Sequence, residues 1–163
     1  MDMRNFLQIA LFITLVGCAT SCVREAQFSD IPAIEFLGQS KNEISQGALM
    51  EDSLYVRFSF QDGDGDIGDA ENINVFLTDT RQNFATEFRI PDLAENTTGL
   101  GIEGEVTMLI FTTCCLYDDN SQAPCTPSTS QPTDEVIYTL QIQDRAGNLS
   151  NIIELDPITV RCD

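Results

Sequence analysis

The segment Asp62-Gly63-Asp64-Gly65-Asp66-Ile67-Gly68-Asp69 sets carboxylates at alternate positions with glycine between the first three. Glycine supplies the positive-φ conformations of a tight turn, so Asp62, Asp64 and Asp66 are brought to one side of a short backbone stretch. Carboxylates held that close repel one another, and a hard divalent cation removes the repulsion. Calcium accepts about six to eight oxygens in irregular geometry, whereas magnesium demands an octahedron that it fills largely with water. The spacing therefore points to calcium, against the plainer reading of an acidic, solvated turn. A backbone carbonyl near Ile67 or Gly68 and the side chain of Asp69 are further candidate ligands. A second turn, Asp144-Arg145-Ala146-Gly147-Asn148, offers side-chain oxygens from Asp144 and Asn148. The same two residues equally suit an ordinary turn in which Asn takes a left-handed conformation. Arg145 either pairs with an acid of the first loop or points away.

The acidic loop begins like an EF-hand, Asp-x-Asp-x-Asp, but Ile67 stands at the sixth position, Gly68 at the seventh, and Ile73 at the twelfth, where a bidentate Glu belongs. It is not an EF-hand, and the missing ligands must come from elsewhere in the fold. The elements that flank it show where. Leu54, Val56, Phe58 and Phe60 alternate with Ser53, Tyr55, Arg57 and Ser59, the period-two pattern of a strand with one buried face. Val136–Gln143 and Ile73–Thr78 alternate likewise, and Ile31–Leu37, Phe84–Ile90, Glu105–Thr113 and Asn151–Val160 are rich in β-branched and aromatic residues. No comparable window shows helical periodicity. Seven short strands separated by turn clusters predict an all-β, seven-strand immunoglobulin-like or fibronectin-like β-sandwich over residues 31–163. In that fold the loops after the second and sixth strands share one end, so Asp144 and Asn148 are expected beside Asp62–Asp69.

Composition narrows the chemistry. Among 163 residues, 26 Asp+Glu face 8 Lys+Arg, a net charge of −18 that repels phosphate backbones and argues against nucleic-acid binding. There is no His, which excludes Ser-His-Asp and Cys-His catalysis and every His-containing zinc site.

The N-terminus reads as an export signal. A basic residue lies in Met1–Arg4, and Phe6–Gly17 is apolar apart from Gln8. That run is well short of the roughly 20 residues that span a bilayer. It ends in Leu15-Val16-Gly17-Cys18, which resembles a bacterial lipobox and implies a signal peptide over 1–17, lipidation of Cys18 and a tether over 18–30. Two acyl chains in one leaflet suffice for stable anchoring to the membrane. Cys22 is the alternative: its context lacks the large aliphatic residue, but its lipidation would leave an even four downstream cysteines.

Those four, Cys114, Cys115, Cys125 and Cys162, are expected to form disulfides in the oxidising compartment that export supplies. Neighbours in a strand point to opposite faces, so Cys114 and Cys115 should take different partners, one of them Cys125. Cys162 falls in register with Ile158 and Val160 on the inward face of the last strand. A Cys125 bridge would order the first half of the long Cys114–Thr133 loop by about 2–4 kcal/mol.

Phe58-x-Phe60-x-Asp62-Gly-Asp64-Gly-Asp66-Ile67-Gly68, the later Glu103-Gly104-Glu105, and Asp144-Arg145-Ala146-Gly147-Asn148-x-Ser150-Asn151 together resemble a group of small Bacteroidetes-type outer-membrane lipoproteins. The resemblance spans about Ile31 to Val160. It implies a lipid-anchored immunoglobulin-like domain at the outer membrane, on its periplasmic or its outer face, and implies no activity. The leading functional expectation is thus a calcium-stabilised, non-enzymatic binding or accessory subunit, with an outer-membrane protein complex or a glycan as partner. The alternatives are a carbohydrate-binding module using Tyr117, Phe76 or Phe84 beside calcium, and a carboxylate-based glycosidase.

Overall fold

The computed structural model describes residues 28–93, 101–117 and 122–163. Cys18, Cys22 and the signal segment lie outside these residues. Ten strands follow in order: β1 Ala33–Gln39, β2 Glu43–Ser45, β3 Ser53–Asp62, β4 Val75–Asp79, β5 Phe84–Phe88, β6 Ile102–Phe111, β7 Thr133–Val136, β8 Tyr138–Ile142, β9 Ile153–Glu154 and β10 Ile158–Arg161. They form three sheets, ordered β1-β3-β6, β5-β4-β8-β9 and β2-β10-β7.

The last two sheets share one long hairpin. β8 pairs with β9 through Thr139↔Glu154, and β7 pairs with β10 through Val136↔Ile158. The Leu155 N–H donates to the Tyr138 carbonyl between these two ladders. Each arm of the hairpin is thus a single strand path interrupted near Ile137 and Asp156-Pro157. Counted as paths, the described residues hold the seven expected strands, with the sixth and seventh each broken in two. The three-residue β2 was not expected, being too short to show an alternation. It adds in parallel to β10 through Thr159↔Glu43, Val160↔Ile44 and Arg161↔Ser45. A sheet of the first, second and fifth paths facing a layer of the fourth, third, sixth and seventh is an immunoglobulin-like, and specifically fibronectin-like, arrangement of a β-sandwich.

Alternation explains why the layers close. On β3, Leu54, Val56, Phe58 and Phe60 are buried, and their partners on β6 include Ile110 opposite Leu54 and Met108 opposite Val56. The facing layer contributes Val75 and Leu77 of β4 and Leu140 and Ile142 of β8 to the same core. Full burial of each such side chain contributes about 1.5–3 kcal/mol. Gly104 sits opposite Phe60, where a Cβ would come within 3.0 Å of the ring, so a bare backbone makes room for the aromatic.

The structure pairs Cys114 with Cys125 and Cys115 with Cys162. Cys115 and Cys162 are fully buried in the core, as the register of Cys162 with Ile158 and Val160 foretold.

Candidate metal centre

The inward face of β3 does not end at Phe60. Two residues further on the same alternation delivers Asp62, which is 0 % exposed. The inward face of β8 behaves in the same way: Tyr138, Leu140 and Ile142 are followed by Asp144, also buried. β3 therefore ends on an inward aspartate and β8 is followed two residues later by another, and the topology brings the two to one pole. The loop that leaves β3 folds back to add Asp66. Gly65 and Gly68 take positive φ in this loop, and the buried Ile67 pins it to the core. One carboxylate oxygen from each of Asp62, Asp66 and Asp144 lies within 4.8 Å of the other two. Ligand oxygens about 2.4 Å from a common centre are at most about 4.8 Å apart, a condition that the three meet for a single calcium ion.

Hydrogen bonds hold the triad but do not satisfy it. The Asp66 N–H donates to Asp62 Oδ2 at 2.8 Å, and the Ala146 N–H donates to Asp66 Oδ2 at 2.9 Å. The Asn148 N–H and Nδ2 donate to the two oxygens of Asp144 at 2.7 and 2.8 Å. Asp62 Oδ1 and Asp66 Oδ1 are buried with no partner among the described residues. An orphaned carboxylate oxygen in the interior is costly unless something cationic answers it. Burial, with smaller contributions from the charges of Asp64 and Asp66, pushes the Asp62 carboxyl up to about 6 against the lowering effect of the Asp66 N–H. Asp66 is raised as well, first by burial and then by the charges of Asp144 and Asp64.

The opposite pole shows what a satisfied acid pair looks like here. Asp79 and Asp134 both receive the Arg81 guanidinium at 2.6 Å. Among the described residues, no Lys or Arg forms an ion pair with Asp62, Asp66 or Asp144. Arg145, whose direction the sequence left open, reaches Asp92 at 3.3 Å, while its backbone N–H donates to the Asp66 carbonyl.

Of the six expected ligands the structure gathers three carboxylates. Asp64 is exposed and outside the triad, because the glycines on either side turn the chain so that the middle carboxylate faces water. Its charge nonetheless acts on both neighbours. Asp69 caps its own turn: the Asn72 side-chain amide donates to its Oδ2, the N–H groups of Asn72 and Glu71 donate to its Oδ1, and these bonds hold its carboxyl down at about 2. Asn148 orients Asp144 through its amide.

The aromatic candidates stand apart from this pole in two cases of three. Phe84 is opposite Asp79 at the far end of the β4–β5 ribbon, and Tyr117 follows the far end of β6, where its hydroxyl donates to the Thr126 carbonyl.

No family model matches the chain, and no curated protein matches it. Among solved structures it is similar to a Niemann-Pick type C2 protein from Japanese carpenter ant, at 13 % identity and a TM-score of 0.39, over 84 % of this chain and 98 % of that one. It is also similar to a Northeast Structural Genomics Consortium target, at 10 % identity and a TM-score of 0.27, over 80 % of this chain and 83 % of the other. Likenesses this distant say nothing about what the triad holds, and the geometry of the triad stands by itself.

Proposed function

We propose that this chain is a calcium-stabilised β-sandwich lipoprotein of the outer membrane, lipidated at Cys18, that acts as a non-enzymatic binding or accessory subunit. The observation that carries the calcium reading is Asp62: a wholly buried carboxylate in a triad of acids, with one oxygen that has no partner and no basic side chain paired to the triad among the described residues. The anchoring half rests on the lipobox-like Leu15-Val16-Gly17-Cys18 after the apolar run and on the resemblance to small lipoproteins. A non-enzymatic role is supported by the absence of His from the sequence and by the structural use of buried Asp79 and part-buried Asp134, which are bound to Arg81.

Isothermal titration of the chelator-treated protein with calcium tests the site. One ion per chain is expected, and Asp62→Asn with Asp144→Asn should abolish the heat. An absence of binding by a folded wild type would overturn the assignment. Mass spectrometry of the mature N-terminal peptide tests the anchor, with acylated Cys18 expected and acylated Cys22 contradicting it.

A further inference from the structure

The segment Phe28–Asp30, which leads into β1, crosses the same pole. The Gly63 N–H donates to the Ser29 carbonyl at 2.7 Å. Asn148 Nδ2 donates to Asp144 Oδ2 at 2.8 Å and to the Asp30 carbonyl at 3.4 Å. The segment is thus bonded to both loops that bring acids to the triad, and it is linked to Asp144 itself through one amide. Two glycines let it approach. A Cβ on Gly63 would stand 2.4 Å from the Phe28 carbonyl oxygen, and one on Gly101 would stand 2.9 Å from the Phe28 ring.

We propose that a divalent cation in the Asp62–Asp66–Asp144 site fastens Phe28–Asp30 as a strap across this pole, and that loss of the ion releases it. The inference rests on the calcium reading above. Without an ion, the repulsion among the three acids acts between the loop after β3 and the loop after β8, the two loops that the strap bridges. Both strap bonds are kept only while those loops stay together. An ion drawn in by all three carboxylates pulls the loops together and so holds the strap. Among the described residues the strap has little else to hold it beyond the half-buried Phe28 ring beside Gly101: Ser29 and Asp30 are exposed, and the bond from the Ile31 N–H to Ser29 Oγ is internal to the segment and its neighbour. Segments with few buried contacts open first. Release of three residues lengthens the lead into β1 by about 10 Å. Cation occupancy therefore fixes where the upstream chain joins the sandwich.

Limited chymotrypsin digestion of the full chain reads the strap at the Phe28–Ser29 bond, with the bond after exposed Phe84 as internal reference. Calcium titration calorimetry on the same sample reads the ion. Cleavage at Phe28 should be at least tenfold slower in calcium than in chelator, with the Phe84 rate unchanged, and Asp66→Asn should erase the difference. Calcium binding with equal Phe28 rates would overturn the strap and leave the ion site standing. An absence of calcium binding would overturn both, and a parallel change at Phe84 would show global stabilisation in place of a strap.

Discussion

Asp62 is the residue on which the pole turns, because it is a carboxylate placed by strand alternation where a hydrophobic side chain would otherwise go. Its folded-state carboxyl stands near 6 against an ordinary 3.8. A carboxylate raised in this way contributes stability below pH 3.8 that is lost as pH climbs to about 6. Calcium at the proposed site is expected to bind the ionised form and reverse the loss. Thermal melts in chelator should therefore weaken between pH 4 and 6.5, and melts in calcium should not; parallel curves in the two buffers would count against the assignment. Gln39 offers a contrast at the same scale. Its Nε2 and Oε1 are both buried without a partner among the described residues, and it is not part of an acidic cluster. An amide left so costs about 1–3 kcal/mol, so Gln39→Leu should raise the denaturation midpoint by roughly that free energy. A variant less stable than wild type would reveal a partner for the amide.

The elements place charge at both ends of the sandwich and treat the two ends differently. β4 ends on Asp79 as β3 ends on Asp62, but at its pole Arg81 spans Asp79 and Asp134 and reaches the Cys114 carbonyl. Arg81→Ala strands two part-buried carboxylates and should cost about 3–5 kcal/mol by denaturant titration. A cost below 1 kcal/mol would mean that water already screens the pair. The strand paths were legible in the sequence, since Leu54 to Phe60 and Tyr138 to Ile142 alternate cleanly. The breaks near Ile137 and Pro157 were not, because a path that passes from one sheet to another keeps its periodicity. Asp62 and Asp144 could have been read as buried by extending each alternation two residues, a step that the habit of ending a strand at its last apolar residue conceals. Arg81 was missed for a different reason: a buried ion pair between distant segments leaves no local pattern.

In the whole molecule, fold topology did more for the site than local motif. The spacing of Asp62, Asp64 and Asp66 suggested three ligands from one loop, whereas the structure gathers the outer two with Asp144, 78 residues beyond Asp66, in place of Asp64. That exchange depends on two strand ends meeting at one pole, which the expected fold predicted and the loop sequence could not. The central claim is that this pole is closed by calcium. Its most direct test is the melting temperature of chelator-treated protein with and without added calcium. An ion at a hundredfold excess over its Kd should contribute about 2.7 kcal/mol, a rise of roughly 5–15 °C for a domain of this size. Magnesium at equal concentration should do much less, and Asp62→Asn with Asp66→Asn should remove the response. A wild-type melt indifferent to calcium, superimposed on that of the double variant, would contradict the account.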